Sequence, residues 1–595
     1  MSVRLLPSRR EVATSVVAVA AFVLAAIPSL SDNYIIDETV FVRGMRAVAV
    51  RGVPFYYKSE QAGWQYGLWH PPTYIYYVGG WIDTLGADVV VTRGATMLLA
   101  ALVVPVVVVL HRAVHRLDGV PGSPRLLGLA ALLFVASPIA VQDATLIDID
   151  GSLLTLATIT FLLWTIWATE IKEWSTGQLA AGLLLWFAAI SWVKFGPLPV
   201  LLVCVGGYLV VRRGPRLAPV TLGAAVGGFA LFSVTWYAVS SALELSFLSP
   251  YAHNFGMLFE ASDADAASTA KRVMLSAWTL YTELLWVSPF LVALAVLALV
   301  PSPVRRTFPS ANRIVAGVRE RSASALLLSV ALATILQYAV LAKMPYGFPK
   351  YVGPAVPLLA VLGALAVSNR VHEACVNRRL FVGAVGAVAV GSAVLVGDPF
   401  LAPFEAGFHS VTVDTARTVG AYALLFIGVL FAVHVLRRRA PDRVSVDGRT
   451  AATIALIVVV IGTNGATLAI QSSADYSTHY YYGQEGMEET LKVVQEKYKS
   501  LPEDARKRAV FPTDIGYYVD GPYHDKDRYT VADFQRDKPP LVVLRNEQYY
   551  RIDSPLLSVL QGTRTTQGIV RFVYGVRSHS RQRVRLVVFR LRDQQ

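Results

Sequence analysis

The sequence predicts an all-α bundle of about 13 membrane-spanning helices followed by a small soluble α/β domain. Three observations predict it. Of 595 residues, 54% are apolar and only 16% are Asp, Glu, Lys or Arg, well below the quarter that soluble proteins carry. The charge is uneven: 36 of the 124 residues from Ser472 onward are charged, against 59 of the 471 before them. The apolar residues also gather in stretches near the ~20 that a helix needs to cross a bilayer. Residues 1–471 are therefore read as the membrane part and 472–595 as one soluble domain. Two cysteines, Cys204 in an apolar run and Cys375 in a basic loop, are too few for a disulfide framework and lack zinc spacing.

Taken in order, the stretches lie near residues 12–30, 89–110, 125–141, 150–169, 178–194, 197–211, 218–240, 276–300, 323–342, 354–368, 379–397, 415–436 and 451–470. With a cytoplasmic N-terminus, Arg212-Arg213, Arg305-Arg306 and Arg437-Arg438-Arg439 all fall on the cytoplasmic side, as the positive-inside rule requires. The net charge of +13 is thereby a topology signal and no nucleic-acid footprint. Residues 70–86 (HPPTYIYYVGGWIDTLG) are greasy enough to cross, but counting them would put the basic loops 112–125 and 212–216 outside. They are read as lying along the outer interface, with Tyr74, Tyr76, Tyr77 and Trp81 at headgroup depth. Val12–Leu30 also has signal-peptide character, though no clean small-residue cleavage site precedes Asp32.

This threading leaves a long first outer loop (31–88), a second (241–275) and an outer soluble tail. In the tail, Met487, Leu491, Val494 and Tyr498 mark one helix face, while Pro540–Leu544 and Arg581–Leu591 read as strands.

Charged residues collect at the outer helix ends. Asp37 and Glu38 follow the first helix closely, and Asp143, Asp148 and Asp150 precede the fourth. Carboxylates so near hydrocarbon are costly without partners, which suggests function. Asp143 reads better as a solvated loop acid, and for Asp37–Glu38 the solvated and functional readings balance. Lys194 (SWVKFGP) ends a helix with almost no polar company, Lys343 and Lys350 flank KMPYGFPKY, and Arg93 sits just inside the second helix. A single such lysine most often snorkels. Together, acids and bases on one face suit an anionic headgroup beside a general base, since a phosphate leaving group needs fixed cations and an attacking hydroxyl needs a carboxylate.

The order of these features resembles polytopic glycosyltransferases of the GT-C superfamily, in particular the protein O-mannosyltransferase and lipid A aminoarabinose transferase branch. The landmarks are Asp37-Glu38; the turn Arg51–Tyr56 followed by His70-Pro71-Pro72; Arg93; SPIAVQDATLIDIDGSLLT (Ser137–Thr155); and Lys350-Tyr351 with Pro354 and Pro357. The resemblance implies transfer of a sugar from a polyprenyl phosphate, dolichyl or undecaprenyl, to a protein, glycan or lipid acceptor on the outer face, with inversion. It puts the catalytic carboxylate on Asp37, with Glu38 beside it, and a second acid on Asp148 or Asp150. Contacts to the carrier phosphate or sugar would fall on Lys194, Lys350 and His70, with Arg93 and Tyr351 among the landmarks. The aminoarabinose branch has a Glu-Lys pair before its proline where this chain has Trp69-His70, so the glutamate of a metal site there is missing. His253 (SPYAHNFGMLF) is a candidate metal or phosphate ligand, and a divalent metal stays an open cofactor.

The expected setting is the plasma membrane, multi-pass, with a cytoplasmic N-terminus and the tail outside. No Walker-type or GxGxxG loop is present, in keeping with a donor already activated by its phosphate. A transporter or flippase is the runner-up; it would favour internal repeats and mid-helix acids, and the sequence suggests neither. A membrane scaffold displaying its tail would leave Asp37 without a task.

Overall fold

The computed structural model describes residues 9–34, 37–60, 63–66, 70–119, 127–251, 266–299, 320–340, 349–371, 375–376, 378–396, 411–439, 444–471, 487–519, 521–525, 531–537, 539–545, 566–572 and 586–591. Each apolar stretch picked out in the sequence falls on one or two helices among the described residues. The first ten helices are α1 (Arg9–Ala26), α2 (Asp37–Arg51), α3 (Thr73–Leu85), α4 (Val89–Leu117), α5 (Leu127–Val135), α6 (Pro138–Thr145), α7 (Thr155–Ile166), α8 (Thr176–Val193), α9 (Leu198–Arg213) and α10 (Leu217–Ala242).

Among the described residues, eight helices are long and apolar enough to cross a bilayer, or ten if two bent pairs each count as one. The stretch at 125–141 breaks into α5 and α6 with a 67° bend, and the one at 276–300 bends by 81° between Ser276–Val287 and Pro289–Ala298. Both breaks stand before a proline, Pro138 and Pro289, which lacks an N–H and drives its predecessor out of the α region. Ser137 is extended accordingly, and Ser288 takes a φ of +71°. The helix Ser322–Val340 has 19 residues, Ala355–Val371 has 17 and α9 has 16.

Burial grades across the bundle. Every residue from Ala355 to Asn369 is buried, as expected of a helix that is apolar all round. It packs against α4, α5 and the helix Pro289–Ala298 at the centre of the main core. Thr73–Leu85 is a 13-residue helix. Its aromatics are less exposed than expected: Tyr74 is buried and shares a 2.7 Å hydrogen bond with Thr96 Oγ1, and the Tyr77 hydroxyl donates to the Ala95 carbonyl at 3.0 Å. The helix lies on α2 and α4, and that packing takes up the aromatic face expected to be exposed.

In the tail, five strands form one sheet in the order β6-β5-β7-β9-β8: β5 (Val510–Phe511), β6 (His524–Asp525), β7 (Leu541–Arg545), β8 (Thr566–Phe572) and β9 (Leu586–Leu591). β5 runs parallel to β6 and β7, while β9 is antiparallel to β7 and β8. β7 and β9 are the expected strands. The helix Met487–Lys499 covers the core with Leu491, Val494 and Tyr498; the side chain of Met487, the fourth residue expected on that face, lies outside the described residues.

The tail rests on the first loop, where β1 (Phe55–Ser59) and β2 (Gly63–Tyr66) form a hairpin. Glu60 N donates to the Tyr523 carbonyl at 3.0 Å, Arg43 donates to the Tyr523 hydroxyl at 3.1 Å, and Lys58 pairs with Asp525 at 3.6 Å. Two further short strands, β3 (Cys375–Val376) and β4 (Val444–Ser445), pair as an antiparallel ribbon.

Candidate functional site

The site is assembled around Arg93, which the first turn of α4 holds fully buried. All five of its N–H groups are used. Nε donates to the Asp32 carbonyl (3.0 Å), Nη1 to Glu38 Oε1 (2.6 Å) and the Thr145 carbonyl (2.7 Å), and Nη2 to the Asn33 carbonyl (2.9 Å) and Glu38 Oε2 (2.9 Å). A planar fork with five fixed donors is what such a junction needs, and lysine could not replace it. Glu38 also accepts from Ile147 N at 2.9 Å. One ion pair thus joins the start of α2, the entry to α4 and the chain just after α6. Every donor of Arg93 thus faces protein.

Immediately beyond Ile147 stand the two acids. Asp148 Oδ1 accepts from Asp150 N at 3.1 Å, capping the helical segment that begins with the wide turn Asp150–Leu154 and continues as α7. Its Oδ2 receives Lys350 Nζ at 2.6 Å, while Lys194 Nζ lies 2.7 Å from both Asp150 carboxylate oxygens. Lys194 can reach because α8 ends there: its backbone is extended at φ −162°, ψ 142°. Lys350 arrives on the turn Pro349–Val352 that leads into the central helix. The Tyr351 ring lies 5.0 Å from the Lys194 ammonium and 5.4 Å from that of Lys350, in cation–π range of both. All four charged groups are buried. Burial alone would push the Asp148 carboxyl up, but Lys350 and Lys194 outweigh it and hold it well below the usual carboxylate range.

The neighbouring Asp143 is buried in α6. The expectation of a solvated loop acid is therefore wrong, because the proline break turns α6 into the protein. Two glycines make room for it. A Cβ on Gly151 would stand 2.1 Å from the Asp143 Cβ, and one on Gly353 would stand 2.6 Å from its Oδ2.

Of the residues picked from the sequence, Glu38, Arg93, Asp148, Asp150, Lys194, Lys350 and Tyr351 come together. Lys194, expected to lack polar company, is bound to Asp150. His70 is half-buried and stacks on Phe41 at 6.3 Å, on α2. Asp37 opens α2 next to Glu38, but its side chain lies outside the described residues, as do Trp69, His253 and Lys343. Among the described residues no group of three or more His, Cys, Asp or Glu is placed to hold a metal ion.

Sequence reasoning missed three things. The first is Glu283, buried within Ala266–Val287, whose carboxylate oxygens have no hydrogen-bond partner among the described residues. It corrects the expectation of no mid-helix acid, and its apolar and aromatic surroundings (YTELLW) could have raised it. The second is the pair of glycines beside Asp143. The third is the tail: the Tyr518 hydroxyl donates to the Tyr34 carbonyl at 2.9 Å, and Tyr517 packs edge-on against the Tyr34 ring at 5.6 Å. Tyr34 in turn donates to Thr92 Oγ1 at 3.0 Å and lies under the Arg93 guanidinium at 5.5 Å. Burial raises the Tyr518 phenol, which keeps its proton available for that bond.

No family model matches the chain, and no curated protein matches it. Among solved structures it is similar to ArnT from Cupriavidus metallidurans bound to undecaprenyl phosphate, at 13% identity and a TM-score of 0.48, covering 97% of each chain. It is also similar to the arabinofuranosyltransferase AftD from Mycobacteria (15% identity, TM-score 0.43, 98% of this chain and 40% of that one). A third is the Archaeoglobus fulgidus oligosaccharyltransferase tethered to an acceptor peptide (13% identity, TM-score 0.36, 73% of this chain and 58% of that one).

Proposed function

We propose that the protein is a multi-pass membrane glycosyltransferase that moves a sugar from a polyprenyl phosphate to an acceptor hydroxyl at the outer face, with inversion. The observation that carries this reading is the buried quartet Asp148–Lys350 and Asp150–Lys194, joined through Ile147 to the Glu38–Arg93 pair. Two lysines held by two carboxylates form a neutral set. An incoming phosphate can share the ammonium groups by competing with the acids, and charge that develops on the leaving group meets cations already oriented.

In the proposed step, Asp37 takes the proton from the acceptor hydroxyl. The freed oxygen attacks the anomeric carbon, the bond from that carbon to the phosphate oxygen breaks, and the polyprenyl phosphate leaves with the electron pair. Lys194 and Lys350 steady it, with Tyr351 ordering both, and His70, which stacks on Phe41, is assigned as a further contact. Arg93 holds Glu38, and through the backbone its neighbour Asp37, at the start of α2. Asp148 and Asp150 are assigned to orienting the lysines, and either could serve as the second acid. The plasma membrane, an outer tail and a cytoplasmic N-terminus complete the reading. A divalent metal is not assigned a place.

The test is purified protein with a panel of radiolabelled polyprenyl-phosphate mannose, glucose and arabinose and a cell-envelope extract as acceptor. Release of unglycosylated polyprenyl phosphate together with labelled acceptor is expected. Label carried into vesicles with the sugar–phosphate bond intact would instead establish the transporter reading.

A further inference from the structure

Away from the site, the helices Arg378–Leu395, Val411–Arg439 and Gly448–Gln471 enclose a groove of about 340 Å³. Its lining is wholly apolar and includes Phe381, Ala384, Leu425, Val433, Ile454 and Val458. From Leu380 to Leu395 the groove follows the first helix for about 22 Å at 1.5 Å per residue, most of the ~30 Å hydrocarbon core. It is open to the surroundings at Leu424, which is 65% exposed.

One end of this groove is strongly basic. Its lining begins one residue after Arg378-Arg379 on the first helix and stops one residue before Arg437-Arg438-Arg439 on the second. The β3–β4 ribbon pairs Cys375 with Ser445 and Val376 with Val444, tying the start of the first helix to the chain that follows the second. Five exposed arginines are therefore gathered at one mouth. At this end Asp447 accepts from Thr450 N at 2.7 Å at the start of the third helix, and Arg437 donates to the Val446 carbonyl at 3.4 Å. Guanidinium groups match phosphate oxygens in geometry. A basic pocket between membrane helices at a headgroup-level end is a recurrent form of lipid recognition.

We infer that this groove is a saturable site for one anionic phospholipid of the bilayer, with its phosphate at Arg378–Arg379 and Arg437–Arg439 and one acyl chain along the apolar channel. The assignment is independent of the proposed reaction. A zwitterionic lipid would fit the channel equally but bring no net charge to the mouth, so selectivity resides in the arginines and occupancy in the channel.

The test uses the full chain in neutral detergent, titrated with palmitoyl-oleoyl phosphatidylglycerol or with phosphatidylcholine of the same tails. Phosphatidylglycerol is expected to raise the Tm saturably and further than phosphatidylcholine, with one molecule retained in native mass spectrometry and the preference shrinking as salt is added. Replacing Arg437, Arg438 and Arg439 together by Gln should weaken the apparent affinity for phosphatidylglycerol by about tenfold or more, with the lipid-free Tm held. Gly428→Phe places a ring in the channel, where a Cβ meets no atom within 4 Å, and should abolish retention with all five arginines intact. Equal stabilisation by the two lipids, or a preference that survives both variants, would overturn the site. Loss of undecaprenyl phosphate affinity alone in the arginine variant would overturn the phospholipid assignment.

Discussion

Arg93 shows how one side chain can decide whether a site exists. Its five donors meet two carboxylate oxygens and three carbonyls, so removing it strands a buried Glu38. Breaking such a pair costs about 3–5 kcal/mol. Arg93→Met should therefore lower the Tm sharply in a detergent unfolding scan. Arg93→Lys should restore only part of the loss, since one ammonium cannot serve five directions. Glu283 behaves in the opposite sense. A buried carboxylate with neither oxygen partnered is a stability cost, so Glu283→Leu should raise the Tm; a fall would show that the acid is satisfied in the folded protein. For the proposed chemistry, Asp37→Asn should leave a folded, inserted protein without transfer, whereas Lys350→Ala should weaken donor binding more than acceptor binding. Near-normal turnover in the first, or unchanged donor affinity in the second, would remove that residue from its role.

At the scale of elements, breaks matter as much as helices. The bend before Pro138 turns α6 inward and carries Asp143 into the core, and the chain leaving it delivers Ile147, Asp148 and Asp150 to Glu38 and the two lysines. A straight span over 125–141 would end in solvent and leave those acids as the loop residues they resemble in sequence. The tail enters the same structure through the Tyr518–Tyr34 bond, one carbonyl away from the Asp32–Asn33 segment that Arg93 clamps. Tyr518→Phe removes a single hydroxyl and should lower kcat with little change in Tm, about 1 kcal/mol or less. If kcat and donor KM are both unmoved, the tail's contact with the loop is packing alone.

For the molecule as a whole, the proposed threading puts the tail outside. In a background of Cys204→Ser and Cys375→Ser, a cysteine at the exposed Ser500 should react with a membrane-impermeant maleimide in intact cells. A cysteine at the exposed Arg438 should react only after lysis, and the reverse pattern would invert the topology and with it the outer-face chemistry. Much of this architecture was legible in the chain. Helices along the apolar stretches, the α/β tail and the burial of Leu491, Val494 and Tyr498 follow from residue type and spacing, while the grouping of Asp148 and Asp150 with Lys194 and Lys350 was expected only from the family resemblance. These features depend on local hydrophobicity, on helical period and on the cost of leaving charge near hydrocarbon, and each of those can be read one segment at a time. Which acid holds which lysine, that Arg93 is saturated by protein, that Asp143 and Glu283 are buried, and that Tyr74 turns inward were decided only by tertiary packing. They depend on the direction of a bend and on a partner 44 to 202 residues away, and pairings at that separation leave no periodic trace in the sequence.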